Sequence, residues 1–168
     1  MLDLQSEIAK LLHADHMTTL ATLQSLDELL ASRPGRLPNL KDEAVRRTLQ
    51  AVIDIAAHEV GRHFAFEEGQ LFPLLEACGQ TGMVGLLTME HHSILPAAQE
   101  AARLATEALA AGTFTPDGWE DFQRVAMELL EREMFHIQKE EMGLLAAIAA
   151  LVSPEDDARL AAAYRALA

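Results

Sequence analysis

Two stretches of this chain follow one pattern. HFAFEEGQLFPLL (63–75) and HIQKEEMGLLAAI (136–148) both run histidine, three residues, two glutamates and then an apolar tail. A further histidine precedes each, His16 by 47 residues and His91 by 45. The chain therefore reads as two copies of one unit: a helix with one histidine, then a helix with His-x-x-x-Glu. No other feature restricts the fold as tightly, because it asks four separate helices to aim polar side chains at shared ground.

Helical geometry says where those side chains point. At about 100° per residue, positions four apart differ by only ~40°, so His63 shares a face with Glu67 and His136 with Glu140. That face is otherwise apolar. It carries Leu12, Leu23 and Leu30 around His16; Ala56, Val60 and Leu74 around His63; Val84, Leu87, Leu95 and Ala98 around His91; and Leu129, Leu144 and Ala147 around His136. Glu68 and Glu141, a further ~100° round, belong at the edge of the face or in solvent. His13 lies ~60° from His16 and competes with it, as a second donor or as a replacement. His16 is nearer the stripe and follows an acidic residue, as His91 does.

The energetic consequence is severe. An unpaired buried charge costs several kcal/mol, a large part of a domain's ~5–15 kcal/mol stability. Bound cations remove the difficulty, and imidazole with carboxylate is a ligand set for first-row transition metals. Four histidines and two glutamates exceed one tetrahedral zinc and suit two metals, each with two histidines and both glutamates bridging. Coordination positions then remain for a solvent bridge and an outside ligand. For any one histidine, a hydrogen-bonded core role is an equal competitor; the six together favour the metal.

Punctuation divides the rest of the chain. SRPGRLPN (32–39) breaks the first periodic segment, with Asn39 placed to cap the next. CGQTGMVG (78–85) ends the second, with Gly79 suited to a left-handed position. AGTFTPDG (111–118) ends the third, and Thr115-Pro116 and Ser153-Pro154 read as helix starts. Helices are predicted near 3–31, 40–77, 83–111, 116–151 and 154–167. Pro73 should bend or end the second. The expected fold is all-α, an antiparallel up-down-up-down four-helix bundle with a short C-terminal fifth helix. One domain is expected over 1–168, with its bundle core about 3–151. Phe64, Phe66, Phe72, Phe135, Met17, Met89 and Met134 read as core packing, His92 as turned off the axis, and His58 as a surface or supporting residue. Arg132 should pair with Glu128 or Glu133.

Charge and cysteine content exclude other classes. Thirteen basic against 26 acidic residues give a net charge of −13, so no basic stripe exists for nucleic acid or an acidic membrane surface. No apolar run approaches the ~18 residues of a membrane span. Cys78 is the sole cysteine, which suits a reducing cytoplasmic compartment and offers no nucleophile–base pair. Tyr164 and Trp119 lie outside the ligand segments, which argues against a tyrosyl-radical enzyme.

The constellation of His16, HFAFE (63–67), EHHSIL (90–95) and HIQKE (136–140) resembles the hemerythrin-like family, also called the HHE cation-binding domain. The resemblance covers roughly residues 8 to 150. It implies a four-helix bundle around a non-haem di-iron centre, two iron ions with an oxo or hydroxo bridge, although the ligand set also suits manganese or zinc. By this resemblance His16, His63, His91 and His136 bind iron, and Glu67 and Glu140 bridge. Oxygen-carrying hemerythrins have a fifth histidine one turn after the third-helix histidine, where this chain has Leu95. Their fourth-helix carboxylate lies five residues after its histidine, which keeps Glu141 as a rival to Glu140. The implied role is binding or activating O2, NO or peroxide, with peroxidase, oxidase or NO-related chemistry open. The alternative is iron sensing or storage, with the metal ordering the bundle for a protein partner. A homodimer is compatible with the sequence, which identifies no redox partner.

Overall fold

Helix follows the punctuation closely. In the computed structural model, which describes residues 5–31 and 36–167, five helices account for the described secondary structure. They are α1 (Glu7–Ala31), α2 (43–77), α3 (Thr81–Ala111), α4 (116–151) and α5 (Pro154–Arg165). Residues 3 and 4 of the predicted first helix, part of the first break (32–35) and the side chain of His58 lie outside the described residues. Thr115 and Ser153 cap α4 and α5 by accepting from the amides of Gly118 and Asp156. Gly79 and Gly112 take the positive φ values that let the chain turn after α2 and α3. The cap of α2 differs from expectation: Asp42, not Asn39, accepts from Ala44 N. Asn39 instead accepts from Lys41 N and holds the preceding turn.

Packing runs around a ring, α1 on α2, α2 on α3, α3 on α4 and α4 on α1, so the short loops join neighbouring helices in an all-α bundle. Two apolar clusters fill it. One contains Leu23, Leu26, Leu49, Phe122 and Leu129. The other contains Ile8, Leu12, Leu75, Leu144, Ile148 and Tyr164. The repeated His/Glu pattern of the sequence falls between these two clusters. The short α5 packs on α1 and fastens its start: Asp157 accepts from Ser6 Oγ at 2.5 Å and from the amides of Glu7 and Ile8 at 2.9 and 3.1 Å. Those amides have no partner within their own helix, so a carboxylate there satisfies them and opposes the helix dipole.

Three turns are wider than α-helical. Residues Ile55–Val60, Glu67–Leu71 and Glu140–Leu144 form π-helical turns. Each of the latter two opens on the first glutamate of a repeat unit. Each also inserts one extra residue into the period. The buried positions beyond them are therefore Leu75 and Ile148, while the expected Leu74 and Ala147 are only half-buried. Pro73 does not end α2; the helix continues through it directly after the widened turn. Pro96 likewise sits inside α3.

Candidate metal centre

The structure brings His16, His63, Glu67, His91, His136 and Glu140 together, all of them buried. Glu67 and Glu140 are both 0% exposed. Glu140 turns Oε2 to His16 Nε2 at 2.9 Å and His63 Nε2 at 3.8 Å. Its Oε1 faces His136 Nε2 at 3.1 Å and His91 Nε2 at 3.8 Å. Glu67 divides itself in the same way, with Oε1 3.0 Å from His63 Nε2 and Oε2 3.3 Å from His91 Nε2. Each carboxylate thus gives one oxygen to each of two histidine pairs, His16 with His63 and His91 with His136.

Close approach is not the same as hydrogen bonding. His16 Nε2, His91 Nε2, His136 Nε2, Glu67 Oε2 and both oxygens of Glu140 are buried without a hydrogen-bond partner. A buried polar group left so costs ~1–3 kcal/mol, more when charged. Fully burying a leucine contributes roughly 1.5–3 kcal/mol, so six such atoms offset several core residues. A cation at the centre of each donor set satisfies them together. Two sets have ligand atoms within 4.8 Å of one another: Glu67, His91, His136 and Glu140, and His16, His63 and Glu140. The donor chemistry fits first-row metals.

The outward nitrogens are as ordered as the inward ones. His16 Nδ1 lies 2.6 Å from Glu141, His91 Nδ1 2.9 Å from Glu68, and His136 Nδ1 3.1 Å from Glu90. A carboxylate only accepts, so Nδ1 carries the proton and Nε2 is the nitrogen turned inward. His63 is backed differently. Its Nδ1 lies 3.1 Å from the Tyr164 hydroxyl, which donates to Asp15. Lys139 further anchors Glu90 at 2.6 Å, and Arg62 lies 3.8 Å from Asp15.

These contacts set the protonation of the metal-free chain. Burial disfavours a charged imidazole, but Glu140 and Glu141 outweigh it and raise His16 to about 9. At His91, Glu140 and Glu67 overcome burial and likewise give about 9. His63 is raised well above its ordinary value by Glu67 and Asp15 against full burial, and His136 is raised mainly by Glu140. Glu140 is held well below the carboxylate range, its burial outweighed by His136, His16 and His63. Without a metal, protons on the imidazoles balance the buried acids; a metal must displace them.

The sequence profile described as the Hemerythrin HHE cation binding domain matches residues 7–148. The chain belongs to this family. Its hemerythrin domain is thus a metal-binding helical bundle with a His/Glu cluster in the core. No curated protein and no solved structure gives a significant match to the chain.

Within this hemerythrin domain the two open choices separate by position. Glu140 enters the cluster, while Glu141 stands behind it, shared between His16 and His13, the latter at 2.9 Å. His16 reaches the centre and His13 stays at the rim. Glu68 and Glu141 do lie at the edge of the face, but each is bonded to a cluster histidine there. His92 is exposed. Phe64, Phe66 and Phe72 are core residues, Phe64 stacked 3.7 Å from His91. Phe135, at 58% exposure, is a surface residue, as are Met17, Met89 and Met134. Each of these four sits next to a cluster histidine or a near neighbour in sequence, which rotates it off the buried face. Arg132 pairs with Glu128 at 2.7 Å, leaving Glu133 out.

Two residues at the centre escaped the sequence reading. Tyr164 reaches His63 across 101 residues of sequence, from outside the profile match. Glu133 is 4% exposed and lines a small cavity beside His16, His63, His136 and Glu140. Burial, reinforced by Glu140, raises its carboxyl above the ordinary range. Its spacing of three before His136 carried the signal.

Proposed function

We propose that this hemerythrin domain holds two iron ions, one by His16 and His63 and one by His91 and His136, with Glu67 and Glu140 bridging. The supporting observation is the division of each carboxylate, one oxygen to each histidine pair. In this reading the pair of irons binds or activates a small ligand, O2, NO or peroxide. Iron supplies redox chemistry and open coordination positions when bound. The chain's own contribution is to fix the four Nε2 atoms inward through Glu141, Glu68, Glu90 and Tyr164. It also keeps water away: Phe64 and Phe72 stack on His91, and Val60 and Ile137 wall the centre.

Among the described residues no helix is long and apolar enough to cross a membrane. Six imidazole and carboxylate side chains with no thiolate favour iron or manganese over a structural zinc site. Metal analysis of the purified protein, with its visible spectrum before and after O2, NO and peroxide, tests the proposal. About two irons per chain and an absorption band that responds to one of these ligands are expected. A colourless protein with less than one metal per chain would sink it.

A further inference from the structure

The two halves of the repeat are not equivalent around the cluster. Glu67 and Glu140 each face both histidine pairs, but the walls around the pairs differ. The His91 ring is covered, with Phe64 parallel at 3.7 Å and Phe72 stacked at 5.5 Å. His16, His63, His136 and Glu140 instead border a cavity of about 10 Å³, the space for one water-sized molecule. Thr19, Val60, Phe64, Ile137 and Glu133 complete its wall.

Glu133 is the exception in this wall, a carboxyl only 4% exposed. Its Oε2 is buried and has no hydrogen-bond partner. The other acids around the cluster each serve an imidazole: Glu67 and Glu140 face Nε2 atoms, and Glu68, Glu90 and Glu141 face Nδ1 atoms. Glu133 serves none. The matching position of the first repeat unit is Val60, on the same cavity, so an apolar side chain satisfies the fold at this point. Placing a carboxyl where valine suffices costs stability, because its desolvation is uncompensated. Such a group is accounted for by a ligand that meets it.

Building on the metal centre proposed above, we propose that the outside ligand extends into this cavity and that Glu133 hydrogen-bonds to its outer atom. The cavity then selects a small ligand with a polar outer end, a peroxide or a bent diatomic, over one whose outer end is inert. Val60, Phe64 and Ile137 exclude bulk water around that bond and strengthen it. Glu133 acts on the ligand directly, so its loss is felt in ligand binding and not in metal content.

Azide titration of the iron-loaded protein, followed by absorbance, tests this in the wild type, Glu133→Gln and Glu133→Leu. Iron per chain and the thermal midpoint are measured alongside. Glu133→Leu should keep its iron and its fold and bind azide ~10-fold more weakly, the worth of one hydrogen bond of ~1.4 kcal/mol. Glu133→Gln, which retains a donor and an acceptor, should stay within about threefold of the wild type. Unchanged azide affinity in an iron-replete Glu133→Leu protein overturns the inference and leaves the metal centre standing. Loss of iron from both variants overturns it as well, by making Glu133 a support of the metal. A wild type that takes up no iron removes the metal centre itself.

Discussion

Replacing Tyr164 by phenylalanine deletes one oxygen atom, and with it two contacts. The hydroxyl donates to Asp15 and lies 3.1 Å from His63 Nδ1. Groups that back a metal-binding histidine are worth ~10–100-fold in metal affinity, or roughly 1.4–2.7 kcal/mol. The lower end is expected here, because Asp15 already stands 3.7 Å from His63 Nδ1 and can move in to replace the phenol. The ring itself stays: Tyr164 packs edge-on against Phe66, and phenylalanine preserves that contact. Competition with a chromophoric chelator should therefore show one of two metals bound ~10-fold more weakly, while the metal-free protein melts within about 2 °C of the wild type. Adding Asp15→Ala should widen the loss toward 100-fold, with the two changes less than additive because both act on one imidazole. Refutation would come from unchanged metal affinity in Tyr164→Phe together with a lowered melting point of the metal-free form. The hydroxyl would then hold α5 in place and do nothing for His63.

Other perturbations divide the cluster further. Glu67→Ala should remove one or both metals. Glu68→Ala should keep both but weaken binding by ~10-fold, since Glu68 backs His91 at 2.9 Å; elemental analysis after dialysis separates the two, and equal losses would contradict the inward and outward assignment. The pH response has a definite sign. His16 and His91 rise from an ordinary 6.5 to about 9 in the metal-free fold. Their stabilisation is thus fully present below pH ~6.5 and lost as the pH passes 9. Metal-free protein should melt lower at pH 9.5 than at pH 7, and metal affinity should climb over the same interval as fewer protons need displacing; a melting point that rises instead would contradict this. Asp157→Ala should cost ~1 kcal/mol by uncapping α1, read as a lower denaturant midpoint with an unchanged slope.

Much of this was legible in residue spacing. His63 with Glu67 and His136 with Glu140 are four apart on helices, so their shared face follows from the helical period alone. Caps at Thr115 and Ser153 are local chemistry and were equally readable. Two of the errors have a clear physical source. Leu74 and Ala147 were expected to be buried in place of Leu75 and Ile148, because a constant period cannot foresee a π-helical turn. Tyr164 was missed because its contact with His63 depends on how α5 docks, which no local pattern encodes. Glu133 lay within reach: it stands three residues before His136, a spacing that does not recur before His63, where Val60 takes the place. Asn39 and Asp42 are both good caps, and the turn between them decided which one served.

The widened turns at 67–71 and 140–144 behave like a dislocation in a crystal row. Such a defect does not fade gradually; it stays where it is pinned or migrates along the helix in whole steps. Each step would rotate the tail beyond it by about 100° and turn Leu75 or Ile148 toward solvent. Both defects begin at the carboxylates that face all four imidazoles, so whatever grips Glu67 and Glu140 also fixes the rotational phase of two helix ends. An ion lost from the centre would loosen the grip on those ends, roughly 9–10 Å of helix at a time.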